Sequence, residues 1–270
     1  MTENPWKEMT LDEARAYDER KETGPHRHQV AVKREILWRL IGKYLPDDRS
    51  VPILDLGGGT GVWTIPLAQE GYDVILADIS PGFLARAKEK LDRLGLSHKV
   101  TIAEMDVDDL SRFDDGTFNL VLALGDPLSY CTDAERALAE IRRIAKRNGI
   151  LIGDVEGRYG GVDSRRAQTW EDVRRIMQDG IAYWPGSSGQ SPIRLFTPAE
   201  MQEMAESSGW SVVDMYASDL VSSLLDQDIL DQLVAADVDL GDWIALEESL
   251  RADRHLLGCG RELQFVLRNP

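Results

Sequence analysis

Two cysteines, Cys131 and Cys259, are all the thiols in a chain of 270 residues. That is too few for a disulfide scaffold, and their separation does not suit a metal site, so two reduced thiols are expected. Long apolar runs are missing as well: no uncharged stretch approaches the ~18 residues of a membrane span. The opening residues, Met1-Thr-Glu-Asn-Pro-Trp-Lys-Glu, are polar and lack the apolar stretch of a signal peptide. Together these absences predict a cytoplasmic protein with no membrane partner. Positive charge is also short. Lys and Arg number 31 against 47 Asp and Glu, a net charge of −16 and a pI near 4.7. Binding to phosphate backbones needs a surplus of Lys and Arg, so nucleic acid is not an expected partner either. The four histidines, His26, His28, His98 and His255, form no nucleophile pattern with the serines. There is no internal repeat and no low-complexity segment. Secreted, fibrous, disordered and structural-zinc classes are therefore excluded.

What the chain does have is apolar material, 43% of its residues, ample for a packed core. Short, nearly continuous apolar runs stand at Val51–Leu56, Val74–Ala77, Val100–Ala103, Phe118–Leu124 and Ile150–Gly153, as in parallel strands covered on both faces. Punctuated helical patterns separate them. Ser80-Pro81 reads as cap and first turn, with Gly95 as the stop. Thr10–Glu13, Thr132–Glu135 and Thr197–Glu200 read as capping boxes, the second opening a helix that Gly149 would end. Strands alternating with helices of this length predict an α/β fold built from βαβ units. Residues 1–50, 156–196 and 219–257 fall outside the alternation and lack core runs of their own. They are expected to cover one sheet, which also takes in strands at Ser211–Tyr216 and Glu262–Leu267, so that residues 1–270 form a single domain.

The strongest signal is Ile53-Leu-Asp-Leu-Gly-Gly-Gly-Thr-Gly61, a strand running through a glycine turn into a helix. A dinucleotide fingerprint needs G-x-G-x-x-G, and Val62 or Thr64 stands where its third glycine belongs. The pattern is instead G-x-G-x-G at Gly57, Gly59 and Gly61, with Gly58 between and Asp55 ahead. An acid at the entrance would repel a pyrophosphate but suits a ligand carrying ammonium and sulfonium charges. In this the chain resembles the class I S-adenosylmethionine-dependent methyltransferases. Asp78 with Ile79 follows the second strand, 21 residues after Gly57, where an acid accepts from ribose hydroxyls. The resemblance implies that Asp106, with Val107, contacts the adenine amine. It further implies that Leu124 and Gly125 flank the methionine moiety and that Tyr17 lies over the cofactor. It covers residues 50–155 well and the C-terminal strands more loosely. The fold it implies is a Rossmann-like, seven-stranded, mostly parallel sheet with helices on both faces, an N-terminal helical cover and insertions forming a lid.

Methyl transfer is an in-line displacement that alignment and water exclusion can largely promote, so no catalytic triad is required. Acceptor residues are expected where the fourth and fifth strands end, at Gly125-Asp-Pro-Leu-Ser-Tyr130 and Asp154-Val-Glu156. Asp126 is the candidate for orienting the acceptor and taking its proton, with Tyr130 as fallback; a plain Asp-Pro turn is the alternative. No metal is expected. Residues 155–196 combine Tyr159, Trp170, Tyr183, Trp184 and Phe196 with Arg158, Arg165, Arg166, Arg174, Arg175 and Arg194. Such a cover suits a planar or anionic small molecule, although Arg174 and Arg175 would equally pair with Glu171 and Asp172 on a helix surface. The expected function is methyl transfer from S-adenosylmethionine to a small-molecule acceptor. A catalytically silent cofactor-binding regulator and, more remotely, a nicotinamide-dependent oxidoreductase are the alternatives.

Overall fold

Thr10 opens the first helix as its sequence predicts. Its hydroxyl accepts from the Glu13 amide while the Glu13 carboxylate takes the Thr10 N–H, and α1 runs over Leu11–Thr23. The computed structural model describes residues 4–160, 162, 166–184, 191–236 and 238–270. Arg165, Gly161 and the run 186–189 lie outside them. A second helix, α2 (Arg27–Gly42), leads into β1 (Ile53–Leu56), α3 (Thr64–Gln69), β2 (Val74–Asp78) and α4 (Pro81–Leu94). Then come β3 (Val100–Glu104), β4 (Phe118–Ala123), a single turn α5 (Pro127–Tyr130), α6 (Ala134–Ile144) and β5 (Ala145–Glu156). The insertion holds α7 (Trp170–Asp179) and a ribbon of β6 (Ile181–Tyr183) with β7 (Pro192–Arg194). The chain continues through α8 (Pro198–Ser207), β8 (Ser211–Ser218), α9 (Leu220–Leu224), α10 (Gln227–Ala235), α11 (Leu240–Arg251) and β9 (Glu262–Arg268).

The sheet has seven strands in the order β3-β2-β1-β4-β5-β9-β8. All neighbouring pairs from β3 to β5 are parallel, and β9 is antiparallel to both β5 and β8. Side chains alternate between faces with the two-residue period of strands. Leu54, Leu56, Val121, Ala123 and Leu151 pack against α6 and α8 on one side. Ile53, Leu120, Leu122 and Ile152 meet Leu37, Leu40 and Ile41 of α2 on the other. This is the Rossmann-like architecture that the family resemblance implies, built on the α/β alternation that the apolar runs predict. The strand order reverses between β1 and β4, and a crevice opens outside the carboxyl ends of those strands.

Several local readings change. Asp133, not Thr132, caps α6 by accepting from the Arg136 amide, because Asp is the stronger cap and the next residue already supports a helical turn. That helix stops at Ile144, and Asn148 (φ 63°) with Gly149 lies inside β5, so Gly149 is no helix terminator. Two of the three covers also have small apolar cores. Ile176, Ala182, Ile193 and Leu195 form one within the insertion. Val221, Leu230, Trp243 and Ile244 form another, shared with Val32 and Ile36 of α2. Arg174 and Arg175 pair with Glu171 and Asp172 one turn away, so the helix-surface reading holds for them.

Candidate active site

Gly57 (φ 71°) and Gly59 (φ 56°) turn the chain sharply after β1, in a region of backbone space that favours glycine. A Cβ on Gly58 would lie 2.7 Å from the Asp55 carboxyl carbon, so nothing larger fits there. Asp55 is fully buried beneath the loop, where one oxygen accepts from the Thr64 hydroxyl at 2.6 Å. It does not face the crevice, which corrects the expectation that it supports the ligand directly: it braces the turn. Burial pushes its carboxyl up to about 6 despite the Thr64 bonds. Gly61 is likewise turned away, towards Ile65 and Ala87.

Asp78 does face the crevice. One of its oxygens accepts from the Gly59 amide and the other from the Ser80 amide, each at 2.8 Å, while the Ser80 hydroxyl caps α4. Loop and helix thus fix the carboxylate between them, and each oxygen keeps a lone pair for another donor. Burial raises its carboxyl to about 6, against the lowering effect of those amides.

The crevice is open to solvent and is lined from both sides of the β1–β4 switch point. Gly57, Gly58 and Gly59 form its wall below β1, and Ile79 stands beside Asp78. Asp106 and Val107 line it after β3, where one Asp106 oxygen accepts from the Asp108 amide and the other is free of protein donors among the described residues. Leu124 and Gly125 line it after β4, and Tyr17 faces it from α1. Neighbouring Asp18 is buried and takes Thr60 at 2.6 Å, Arg86 at 2.9 Å and Lys90 at 3.1 Å, which ties α1 to the glycine loop and α4. Burial alone would raise this carboxyl, but those partners hold it below the usual range.

At the other end, Asp154 of β5 accepts from the Gly125 and Asp126 amides at 2.7 and 2.9 Å through one oxygen. Its second oxygen lies 3.1 Å from the Lys33 ammonium of α2, which also pairs with Glu262 of β9. Asp126, in the left-handed region at φ 64°, is 7% exposed and its side chain has no hydrogen-bond partner among the described residues. It lies just behind the crevice wall, whereas Gly125, Pro127, Tyr130 and Asp154 line it. Burial and the carboxylates of Glu262, Asp154 and Glu156 push Asp126 well above the ordinary range, against the pull of Lys33. Burial, with Glu156 and Asp126 beside it, likewise raises Tyr130. The Tyr130 hydroxyl stays protonated and donates to Glu156 at 3.2 Å, which removes it as a fallback base. Glu156 is held in turn by buried Arg166, a residue of the insertion.

The composition gave little sign of Trp6. Its ring lines the crevice and meets Tyr17, Phe83, Tyr130 and Trp184 at centroid distances of 6.1, 5.6, 5.8 and 4.7 Å. A lone Trp in a polar opening segment was its only signal. Lys33 and Glu262 were missed as well, since each is one charge among many along its element.

The two carboxylates Asp78 and Asp106, with lone pairs left over and a glycine wall between them, suit a ligand carrying hydroxyls and an amine. They fit S-adenosylmethionine. Comparisons with known proteins agree. Residues 53–149 match the family described as "Methyltransferase domain". Glycine/sarcosine N-methyltransferase of Parasynechococcus marenigrum (strain WH8102) is 38% identical over 118 residues, 42% of this chain and 40% of that protein. The tRNA 5-carboxymethoxyuridine methyltransferase of Escherichia coli (strain K12) is 25% identical over 122 residues, 44% of this chain and 46% of the relative. The chain thus spans about half or less of the length of these curated relatives. An S-adenosylmethionine-dependent methyltransferase from Mesorhizobium loti superposes with a TM-score of 0.60 at 18% identity, over 86% of this chain and 96% of that one. Among the described residues no helix is long and apolar enough to cross a membrane. Glycine loop, strand order and the match over residues 53–149 agree: this part of the chain is a methyltransferase domain that resembles those of the class I S-adenosylmethionine-dependent enzymes.

Proposed function

We propose that this protein transfers a methyl group from S-adenosylmethionine to a small-molecule acceptor in the cytoplasm, within a single domain. The observation that carries the reading is Asp78, fixed by the Gly59 and Ser80 amides with its remaining lone pairs facing the crevice. Asp78 takes the ribose hydroxyls, Asp106 and Val107 the adenine, and the backbone at Leu124–Gly125 the methionine end. Tyr17 and Trp6 close over the top and exclude water, which strengthens every polar contact beneath them. When bound, the cofactor supplies an electrophilic methyl carbon on a sulfonium. Asp154 shapes the Gly125–Asp126 turn at the acceptor end. There Asp126 orients the acceptor and takes its proton, while Tyr130, donating to Glu156, serves as wall and positioning group.

Calorimetry with S-adenosylmethionine, S-adenosylhomocysteine and NAD tests the cofactor, and a metabolite extract with methyl-labelled cofactor tests transfer. Binding of the first two without NAD, together with a labelled product, is the expected result. NAD binding would overturn the assignment. Cofactor binding with no labelled product from any extract would favour a silent regulatory module.

A further inference from the structure

Gly125 and Asp126 follow one another in the left-handed region, at φ 96° and 64°. Glycine takes that conformation freely, but an aspartate there carries strain that its surroundings have to offset. Asp154 supplies the offset. Both amides converge on one of its oxygens, at 2.7 and 2.9 Å, and such hydrogen bonds are strongest when the acceptor is ionised. Asp154 is also fully buried, and a charge at that depth needs a partner of opposite sign. The partner is Lys33. Its ammonium lies 3.1 Å from the second Asp154 oxygen and pairs with Glu262 as well. Burial works against a charge on Lys33, yet Asp154, Glu262, Asp126 and Asp219 raise it well above the ordinary lysine range. Those carboxylates stand on β5, on β9 and in the turns after β4 and β8, and Arg261 adds a further cation beside Asp219. Glu247, Arg251 and Gln264 border a small cavity on the other side of Lys33. Leu37, Leu40 and Ile41 seat α2 on the sheet, so the ammonium springs from a fixed base. Lys33, Asp154 and the two amides thus form one chain of contacts that ends at the Leu124–Gly125 wall of the crevice.

We propose that Lys33 is a positioning residue for methyl transfer: by pairing with Asp154 it fixes the Gly125–Asp126 turn, and through that turn the affinity for the amino-acid end of the cofactor. The inference rests on the methyltransferase reading above, which assigns the methionine end to this wall. Lys33 acts there without touching the ligand. It supplies the counter-charge for Asp154, Asp154 holds two amides, and the amides keep the strand end in its strained shape. The transferred methyl departs from that end, so a slack turn would misalign it with its acceptor.

The test is calorimetry on the full chain with two ligands, S-adenosylhomocysteine and 5′-methylthioadenosine. The second shares adenine, ribose and sulfur with the first but lacks the amino-acid end. Lys33→Met should weaken S-adenosylhomocysteine about tenfold, as removal of one partner of a buried pair does, and leave methylthioadenosine within about twofold. In an Asp154→Asn background, Lys33→Met should cost S-adenosylhomocysteine no more than about twofold further, because the route it acts through is already cut. That comparison also carries the test if Lys33→Met alone does not fold, since it leaves no unpaired charge on residue 154. Equal weakening of both ligands by Lys33→Met would mean that Lys33 merely holds the fold. An undiminished loss in the Asp154→Asn background would mean that the ammonium touches the ligand itself. Either result overturns the proposal, and so does unchanged S-adenosylhomocysteine binding by Lys33→Met. Failure of the methyltransferase reading is distinct, because the unsubstituted chain would then bind neither ligand.

Discussion

Asp55 and Asp78 belong to the same loop, and both are raised to about 6 by burial, yet their surroundings predict different behaviour. Asp78 faces ligand hydroxyls that donate to its ionised form. Cofactor affinity should therefore fall as pH drops below about 6, by up to tenfold per unit, and calorimetry from pH 5 to 8 reads it. Asp78→Ala should weaken binding markedly at pH 7.5, because the ribose hydroxyls lose their acceptor and Gly59 its anchor. Asp55 faces no ligand, so its titration acts on folding. Its native pKa lies above the unfolded value, so stability is greatest where the group is protonated and is lost as pH rises through about 6. The loss amounts to about 2 kcal/mol between pH 4 and pH 7. Asp55→Asn removes that dependence. Its melting temperature relative to wild type should be several degrees higher at pH 7 than at pH 4, and a constant difference would contradict the assignment. The sequence showed both acids but not this division of roles. Only the fold reveals that Gly58 presses Asp55 inward while Ser80 frees one side of Asp78 for the crevice.

Helix starts were legible because caps are local. Thr10, Ser80 and Thr197 all cap as their spacing allows. The competition between Thr132 and Asp133 was not, since adjacent caps differ only in how the preceding turn is drawn. The covers were legible as segments but not in their attachment, which rests on single charges from distant elements: Asp18 of α1, Lys33 of α2 and Arg166 of the insertion. Each reaches the loop or strand end that borders the crevice, so the covers should close more firmly over a bound ligand. With S-adenosylhomocysteine, tryptic cleavage within residues 11–42 should slow severalfold. Equal rates with and without it would mean that the covers are already shut. Trp6→Ala should speed that cleavage in the bound protein, as it removes the ring contacts to Tyr17, Phe83, Tyr130 and Trp184.

Across the whole molecule, the net charge of −16 was readable at once and bears on the acceptor's size. A relative that modifies tRNA shares the methyltransferase domain, yet a surface this acidic opposes a polyanion. Filter binding with unmodified tRNA at physiological salt should show no retention, and micromolar binding would reverse that expectation. The parallel strands and the α/β class followed from the apolar runs, because strands covered on both faces read as continuous apolar segments, whereas the strand order did not. The acceptor site did not, because its members Lys33, Asp126, Asp154 and Glu262 come from four elements that meet only when the sheet is complete.

The position of β9 has a consequence for how the protein is made. It is the ninth strand in chain order, yet it pairs with β5 through Ile150↔Arg268 and with β8 through Ser211↔Arg268. While the ribosome is still delivering residues 157–261, the outer edge of β5 has no neighbour, and such an edge invites pairing with other chains. The five parallel strands can assemble early, but the contacts that seat β9 are far apart in sequence and form slowly. Glu262 arrives on that same strand, so the carboxylate cluster is assembled only in chains that have closed their sheet, and a nascent chain would have its glycine loop before its acceptor end.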